Sequence, residues 1–547
     1  MFSVYVALIT TAIAVSSSSD HLNPVLDNYS QTSTQSQLTS ASALRLRLLP
    51  RALLYLNDIT SNLLANQLPR IFIPNIYHRF KNGQGTISLS HVRVSRYKRA
   101  KLYKISASEP NKLTWTSHDL NIGMIGDLSG ELNIFVPLQL EGQVEVQTKG
   151  VYFFLQSAIK RSVSGAAHLM PKSCRTFIKM VHIESRSGGL AGIALNIFKE
   201  TISERIRPLI QLSICQKVTR IIVEDLNKKL SQSQTQLTFS DALKTNSFGR
   251  YLIFDPNILR HFHTIHPNTS TYFFQKQASS ISIDYRLSED PLCYNNTIEL
   301  AYLGEISSKI KTPFGMHPLE WPSDLTDSDS MVQILISDHI ANALLYHSFN
   351  ENLLKFTIDE STISSLKSFL QTTCPSSFCF ADIIPEIGKR HPNKKIQFKL
   401  ITTSAPVVLF SAKDSGLINV RFSGIVSINV YTDEMPHEEA AVFDINVIAN
   451  IKLQIKLDQF KLKNKLGTEN AAGDELTDLE FLSSEFLQNL INSFLQNGFP
   501  IPLPEGLYLM AAKLRILDRK ILISSEFSID REHFSQFAIK TIFNSTF

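Results

Sequence analysis

An isoleucine-rich stripe between residues 192 and 230 constrains the fold most, because it predicts one long helix with a single apolar face. Apolar residues recur there every four positions, with charged residues between them: Ile202, Ile206, Ile210, Ile214, Val218, Ile222 and Leu226. Such a stripe must be covered by a large apolar surface. Pro208 predicts a kink or a break in this helix.

A first helix is predicted upstream. The pattern turns helical from Ala43, and the regular helix should start at Pro50, because proline is tolerated in a first helical turn. Pro69 and Pro74 forbid its continuation. Its apolar stripe comprises Leu46, Leu49, Leu53, Leu56, Ile59 and Leu63.

Between these helices the residues alternate with period two, which predicts strands with one apolar face. The segment ELNIFVPLQL (131–140) is predicted as one strand, and GQVEVQ (142–147) continues the alternation with Val144 and Val146. The apolar positions of the first segment are Leu132, Ile134, Val136, Leu138 and Leu140.

The second half of the chain again combines predicted amphipathic helices with alternating strands. The stretch SDHIANALLYHS (337–348) could be helical, and strands are predicted at 396–400, 426–430, 443–447 and 451–457. A last helix is predicted over 478–496, where Thr477 and Glu480 form a capping box. Leu479, Leu482, Phe486, Leu490 and Phe494 line one of its faces, as candidates to line a pocket.

Length and composition limit the class of protein. A chain of 547 residues predicts two or three domains, and 43% hydrophobic against 19% charged residues predicts a folded chain with a sizeable core. The formal net charge of +5 is too small and too dispersed to indicate a nucleic-acid partner.

The first residues indicate the compartment. MFSVYVALITTAIAVSSSSD has an apolar run too short to span a bilayer, followed by small residues, although its start lacks Lys or Arg. We interpret 1–19 as a signal peptide and 20–42 as a flexible Ser/Thr/Gln-rich leader, with an N-terminal anchor as the alternative. The protein is therefore predicted to be secreted and extracellular.

The cysteines and sequons fit an oxidising compartment. The five cysteines match no zinc pattern, so disulfides are expected, with one thiol left over. Cys174 precedes a strand-like run and Cys215 lies on the predicted helix, which suggests a bridge that pins helix to sheet. Sequons that predict N-glycosylation stand at Asn28, Asn268, Asn295 and Asn544.

No catalytic constellation is recognisable, and neither an enzyme activity nor a cofactor is predicted. The chain has no G-x-S-x-G, Walker or G-x-G-x-x-G motif. His437-Glu438-Glu439 begins like a metalloprotease helix, but residue 441 is Ala where a second His is needed. His261, His263 and His266 could form a metal site or a polar surface segment, and we favour the latter.

A run of basic residues over 91–104 allows two interpretations. It contains six cations and no acid: Arg93, Arg96, Lys98, Arg99, Lys101 and Lys104. These residues could contact anionic lipid headgroups or another polyanion. Alternatively they form the polar face of an edge strand, where cations deter edge-to-edge pairing.

The helical stripes are open to two interpretations as well. A stripe at helical spacing is usually core. The functional alternative is a cavity between helix and sheet that takes a lipid chain, at about 0.8 kcal/mol per buried CH₂.

Several segments resemble the family of bactericidal/permeability-increasing protein, lipopolysaccharide-binding protein, phospholipid transfer protein and cholesteryl ester transfer protein. They are LPRIFIPNI, the strand, helix and cysteines of 173–230, LEWPSDLTDSDSMVQILISDHIANALLY, IIPEIGKRHPNKKIQFKL and NGFPIPLPEGLYL. The resemblance implies an α+β fold, an elongated boomerang of two barrel domains. Each barrel sets long amphipathic helices against a twisted antiparallel sheet and holds an apolar lipid pocket, and a central sheet joins the two.

The resemblance also places Cys174 and Cys215 at the disulfide of the family and implies lipid binding without covalent chemistry. The chain departs from the bactericidal members at GMIGDLSGELNIFVPLQLEGQVEVQ (123–147), where they carry clustered cations. This segment has no Lys or Arg but has Asp127, Glu131, Glu141 and Glu145, which argues against endotoxin binding. Cys374 and Cys379 stand in an apparent insertion and are expected to form a local disulfide.

We therefore predict a secreted glycoprotein that holds phospholipid acyl chains in two apolar pockets, either to store the lipid or to transfer it. The alternative is an innate-immunity protein that binds lipopolysaccharide or bacterial membranes through basic surface. The expected domains are an N-terminal lipid-binding barrel (43–240), a central sheet and linker (241–330), and a C-terminal lipid-binding barrel with its tail (331–547).

Overall fold

The computed structural model is an α+β structure of antiparallel sheets with helices packed against them. The part of the chain it describes comprises residues 42–67, 72–73, 75–79, 85–133, 137–186, 197, 199–231, 235–238, 279–325, 329–360, 367–374, 378–413, 416–432, 440–454 and 507–532. The predicted signal peptide and leader, the histidines at 261–266 and 437, and the helix predicted over 478–496 lie outside these residues.

Six helices are described: α1 (Pro50–Gln67), α2 (Lys199–Arg220), α3 (Asn227–Ser231), α4 (Asp338–Asn350), α5 (Phe380–Ile383) and α6 (Pro385–Arg390). A π-helical segment (Ile221–Leu226) joins α2 to α3. Among the described residues, no helix is both long and apolar enough to cross a membrane.

The strands of the first half are β1 (Leu44–Leu48), β2 (Phe72–Ile73), β3 (Ile76–Arg79), β4 (Gly85–Lys98), β5 (Leu102–Ser108), β6 (Lys112–Asn133), β7 (Pro137–Arg161), β8 (Ala167–Ser185) and β9 (Gln236–Thr238). Those that follow are β10 (Ser282–Asp284), β11 (Leu292–Tyr294), β12 (Thr297–Tyr302), β13 (Glu305–Ser307), β14 (Val332–Ser337), β15 (Lys355–Ile358), β16 (Lys395–Thr402), β17 (Val407–Ser411), β18 (Leu417–Tyr431), β19 (Ala440–Gln454), β20 (Leu507–Leu517) and β21 (Lys520–Ile529).

A seven-stranded sheet dominates the first half. Its order is β2-β4-β6-β7-β8, with β3 paired to β4 and β5 paired to β6. Strands β4 and β5 both run along one side of β6, so together they form one long, interrupted arm of a hairpin. The basic run lies on β4, on β5 and on the connection between them.

One strand prediction in this sheet is wrong. The segment 131–140 is not a single strand, because β6 ends at Asn133 and β7 begins at Pro137, and these two residues are opposite each other in the antiparallel pair. The apolar alternation continues across the chain reversal, so periodicity alone did not reveal the turn.

A six-stranded sheet combines distant parts of the chain in the order β11-β12-β1-β14-β21-β20. Its strands β1, β14, β20 and β21 come from outside residues 241–330, where a central sheet was predicted. β1 lies between β12 and β14, with Leu46 opposite Leu300 and Ile334. The helical pattern predicted from Ala43 is therefore wrong up to Leu48, because Leu44, Leu46 and Leu48 also alternate and their pairing partners decide for a strand.

For the two long predicted helices, the structure confirms where the first begins and corrects the break predicted in the second. Helix α1 begins at Pro50, as predicted. Helix α2 contains Pro208 and continues to Arg220, so Pro208 does not break it. The departure from α-helical geometry comes later, in the π segment.

The second half contains a five-stranded sheet of order β15-β16-β18-β17, with β19 on β18. The predicted strands at 396–400 and 426–430 lie in β16 and β18, and the helix allowed over 337–348 is α4. The two strands predicted at 443–447 and 451–457 are one strand, β19, as far as Gln454. A three-stranded sheet (β13-β10-β9) completes the described sheets.

Candidate functional site

The inner face of the seven-stranded sheet and helices α1 and α2 enclose an extensive apolar interior. Trp115, Leu155 and Ile178, on β6, β7 and β8, point into it and are at most 5% exposed. Helix α1 adds Leu53, Leu56 and Ile59, and the same cluster continues into the six-stranded sheet through Leu46 and Ile334. The interior is thus one continuous apolar region rather than separate patches.

The stripe of α2 and the π segment faces this interior, as its spacing predicts. Five of its seven members are buried: Ile202, Ile214, Val218, Ile222 and Leu226. Ile206 and Ile210 pack against the same cluster but are only partly buried. The stripe is therefore least covered at Ile206 and Ile210, on either side of Pro208.

Helix α2 is fastened along the outer edge of β8. Cys174 on β8 and Cys215 on α2 form a disulfide with a Cα–Cα distance of 5.6 Å. The Gln211 amide donates to the carbonyl of Thr176 at 2.8 Å. These contacts satisfy part of the free edge of the sheet, which would otherwise be open to pairing with another chain.

Asn227, the first residue of α3, forms a further contact with β8. Its side-chain oxygen accepts the Leu169 N–H at 2.9 Å, and its amide donates to the Leu169 carbonyl at 2.8 Å. The buried carboxamide thus pairs with β8 as a neighbouring strand would. The π segment immediately precedes Asn227, and its extra residue per turn changes which face the following residues present.

The second half has its own apolar cluster, between the five-stranded sheet and helices α5 and α6. It includes Phe380, Ile396, Ile428 and Val430, all at most 2% exposed. A disulfide between Cys374 and Cys379 closes a short loop beside it, with a Cα–Cα distance of 5.4 Å. The predicted pocket-lining residues of 478–496 lie outside the described part of the chain.

One group of possible metal ligands occurs among the described residues, and its geometry argues against a metal. Cys374, Cys379 and Asp382 lie close together. The two sulfur atoms are bonded to each other, and the Asp382 carboxylate accepts the N–H of Cys379 at 3.0 Å at the start of α5. The group therefore caps a helix, and its donors are already in use.

The six cations of the basic run are all exposed, on β4, β5 and the connection between them. Arg96 lies 3.4 Å from the buried Glu145 carboxylate, and Lys101 lies 2.6 Å from Asp119. Strand β4 has β6 on one side and β2 and β3 along part of the other, so the basic run does not follow a single free edge.

The outer face of the seven-stranded sheet brings this basic run next to residues that the sequence did not single out. The exposed cations of β7 and β8 include Lys149, Arg175 and Lys179. Between the two groups lie the rings of His118, Tyr152 and Phe177. Alternation marked these strands as two-faced, but only the pairing of strands shows that β5 and β8 expose neighbouring parts of one surface.

Three of the four acids in the 123–147 segment have partners. The buried Glu145 accepts hydrogen bonds from Arg186 at 3.1 and 2.5 Å, and these bonds together with the charge of Arg96 keep its pKa below the ordinary value. Asp127 lies 2.9 Å from the His91 ring, and Glu131 accepts the Gln139 amide at 2.8 Å. The arginines thus offset the charge of Glu145, whereas Gln139 gives Glu131 a neutral donor.

A buried carboxylate organises the six-stranded sheet. Glu299 on β12 accepts from Arg45 at 2.9 Å, Arg47 at 3.1 Å, Trp321 at 2.6 Å and Tyr294 at 3.2 Å. Burial alone would raise the pKa of Glu299, but the Trp321 hydrogen bond and the arginine charges hold it below its ordinary value. This cluster ties β1, β11, β12 and the 319–325 loop together.

The β11–β12 hairpin carries the predicted glycosylation site Asn295 and the unpaired cysteine Cys293. Asn295 is exposed in a two-residue turn in which Asn295 and Asn296 both have positive φ (46° and 58°), a conformation that asparagine tolerates well. Cys293 is buried and unbonded, and burial raises the pKa of its thiol to about 12. Asn28, Asn268 and Asn544 lie outside the described residues.

Comparison with known proteins matches both halves of the chain. Residues 52–231 match the N-terminal domain of the LBP / BPI / CETP family, and residues 275–529 match its C-terminal domain. The lipopolysaccharide-binding protein of Homo sapiens is 22% identical over 511 residues, covering 89% of this chain and 93% of its own. The bactericidal permeability-increasing protein of Rattus norvegicus is 22% identical over 489 residues, covering 85% and 89%.

Among solved structures, a crystal structure of lipopolysaccharide binding protein covers 90% of this chain and 99% of its own, at 17% identity and a TM-score of 0.48. The two matched domains agree with the α+β arrangement of antiparallel sheets and helices described above.

Proposed function

Because this chain belongs to the LBP / BPI / CETP family, we propose that it is a secreted, non-enzymatic lipid-binding protein. The family is one of lipid-binding proteins, and relatives are named for lipopolysaccharide binding and bacterial permeability. The finer proposal is that phospholipid acyl chains occupy the apolar interior of each domain, with lipid transfer as the resulting activity.

The observation that carries this proposal is the partly covered part of the α2 stripe at Ile206 and Ile210. Apolar surface that the protein leaves partly exposed to water is available for an apolar ligand to cover. Here Ile206 and Ile210 keep partial exposure on a helix that Cys215 fastens to β8, and Asn227 fastens the following helix α3 to the same strand. An acyl chain lying along this part of the helix would gain about 0.8 kcal/mol for each CH₂ it buries.

The first test is mass spectrometry of an organic extract of the purified, secreted chain. About two phospholipids per chain would support the proposal of one pocket in each domain. If no lipid is extracted and none can be loaded from labelled vesicles, side chains fill both interiors and the proposal fails.

A pair of variants localises the lipid in the first domain. Ile210→Trp places an indole on the partly buried part of the stripe, whereas Leu212→Trp places the same indole at a position that is 57% exposed on the same helix. We expect the first variant to lose one lipid equivalent and the second to keep its load. Equal loads in two folded variants would exclude the α2 stripe as a lipid contact.

Binding of lipopolysaccharide or bacterial membranes is a second candidate function, favoured by the exposed cations of β4 and β5. It predicts salt-sensitive binding to lipopolysaccharide that falls when Arg96, Lys98 and Arg99 are neutralised. The acidic residues of 123–147 count against it, although Arg186 and Arg96 pair with Glu145 and His91 lies beside Asp127.

A further inference from the structure

The outer face of the seven-stranded sheet carries a row of apolar and aromatic side chains that crosses four strands. Leu102 on β5 is opposite His118 on β6, and Tyr152 on β7 is opposite Phe177 on β8. The rings of His118 and Tyr152 meet edge to face at 4.6 Å, which joins the two pairs. We call these four residues the aromatic row.

Strand alternation shows that the aromatic row points away from the core. Phe153 and Val151 flank Tyr152 on β7, and they are 7% and 2% exposed on the opposite, inner face. Leu102 and Phe177, at the two ends of the row, are 51% and 59% exposed. A single exposed apolar residue is ordinary on a protein surface, but a contiguous row across four strands marks an interaction surface.

Cations border the aromatic row along the strands on both sides. On one side Lys104 and Arg175 lie in the next outward-facing register, which runs through Thr116 and Phe154. On the other side stand four lysines: Lys98, Lys101, Lys149 and Lys179. We call these six residues the cationic margins.

The acids on this part of the face do not cancel the margins. Asp119 is bound to Lys101 at 2.6 Å, and its hydrogen bond to Lys101 together with the charges of Lys98 and Lys179 lowers its pKa. It therefore stays ionised and neutralises one lysine, while the other five margin cations outnumber it. Met180, which is 51% exposed opposite Lys149, extends the apolar surface toward this side.

The dimensions suit a planar partner. Four neighbouring strands span about 14 Å, and the margins lie about 7 Å to either side of the row along the strands. A flat sheet face with apolar side chains in the middle and cations around them complements an anionic bilayer, where rings lie at headgroup depth and cations meet lipid phosphates and carboxylates.

We propose that the aromatic row and the cationic margins dock this protein onto anionic phospholipid bilayers, through a surface separate from the apolar interior. This inference rests on the proposed lipid-binding function, since docking would bring the interior to a source of lipid. The surface joins the basic run of β4 and β5 to β7 and β8 and is centred away from the acidic 123–147 hairpin.

The test is flotation of the full chain with vesicles of phosphatidylcholine alone and of equimolar phosphatidylcholine and phosphatidylserine. We expect binding to the anionic vesicles only. Phe177→Ser should weaken it about tenfold, and each of Lys149→Gln and Lys179→Gln about fivefold. Matched controls are Leu212→Ser, an exposed apolar residue on α2, and Lys389→Gln, an exposed lysine on α6, which should both bind like the parent chain.

Several results would overturn the docking proposal. Equal binding to both vesicle types would remove its electrostatic basis. Sensitivity to the lysine variants but not to Phe177→Ser, with displacement by heparin, would indicate a soluble polyanion site. If the Phe177→Ser, Lys149→Gln and Lys179→Gln variants lost binding to lipopolysaccharide micelles but still bound the anionic vesicles, the surface would be a lipopolysaccharide site.

The lipid content of the same variants separates this proposal from the proposed function. A Phe177→Ser chain that keeps its extracted lipid but no longer floats supports docking as a separate property. A parent chain that floats with anionic vesicles yet contains and accepts no lipid would refute the carrier function and leave the docking surface standing.

Discussion

The Cys174–Cys215 disulfide should be a principal constraint on helix α2, and its contribution can be calculated from the loop it closes. The two cysteines are 41 residues apart, which corresponds to about 4 kcal/mol of unfolding free energy from restriction of the unfolded chain. The Cys374–Cys379 bridge spans only 5 residues, for which the same relation gives about 2 kcal/mol. Replacing both members of a pair by serine removes each constraint separately.

Tryptophan fluorescence can follow the first domain by itself. The chain has two tryptophans, and Trp115 lies on the inner face of the seven-stranded sheet, in edge-to-face contact with Tyr103 and Phe153. In a Trp321→Phe background, equilibrium unfolding in guanidinium therefore reports on the sheet that α2 covers. Loss of the first disulfide should lower the unfolding free energy by about 4 kcal/mol and raise the slope m, because the unfolded chain exposes more surface.

The Cys374→Ser/Cys379→Ser variant is the matched control, since its disulfide lies beside a different sheet. The Trp115 transition should not move in this variant. A loss below about 1 kcal/mol from Cys174→Ser/Cys215→Ser would mean that packing and the Gln211 and Asn227 hydrogen bonds hold α2 without help from the crosslink. An equal shift in both double variants would refute the assignment of each bridge to its own domain.

The remaining predictions concern single residues. Glu299→Ala should cost about 3–5 kcal/mol of unfolding free energy, because it leaves the partly buried Arg45 and Arg47 without their shared carboxylate, and Glu299→Gln should cost less in the same denaturation assay. His347 is buried between Ser308 and Thr312 at 2.9 Å each, and burial lowers its pKa below 6.5. Since the unfolded chain then binds the proton more readily, stability should fall as pH drops below about 6.5, by at most about 1.4 kcal/mol per pH unit, and His347→Gln should flatten this slope in urea titrations at several pH values. The Cys293 thiol, with its pKa raised to about 12, should resist maleimide at pH 8 and react once the chain is unfolded in guanidinium, with Cys293→Ser as the unlabelled control. Secretion from a eukaryotic host should add a glycan at the exposed Asn295, which intact-mass measurement would detect and which Asn295→Gln would remove.

Local sequence patterns predicted a helix correctly where the spacing of apolar residues allowed only one interpretation. The four-residue step from Ile202 to Leu226 predicted a helix, and five of the seven residues of its stripe are buried. Leu44, Leu46 and Leu48 satisfied both helical and strand patterns, and pairing with β12 and β14, at least 250 residues away in sequence, made them a strand. Pattern decided the element where it was unique, and long-range pairing decided it elsewhere.

The candidate sites divide in the same way. The basic run from Arg93 to Lys104 and the cysteine pairs were visible as residue types at particular spacings. Lys149, Arg175, Lys179 and Phe177 carried no such signal, because isolated lysines and a single phenylalanine are ordinary in any strand. They become a candidate surface only beside Leu102 and His118.

By itself, the sequence determined the amphipathic helices, the two-faced strands, the expectation of disulfides and the family resemblance. All of these depend on short-range periodicity or on residue identity. Only the tertiary structure decided which strands are neighbours, where β6 turns into β7, and that cations from four strands surround one aromatic row. The physical reason is that alternation assigns each side chain to a face of its own strand, whereas the order and register of the strands arise from contacts between residues far apart in the chain.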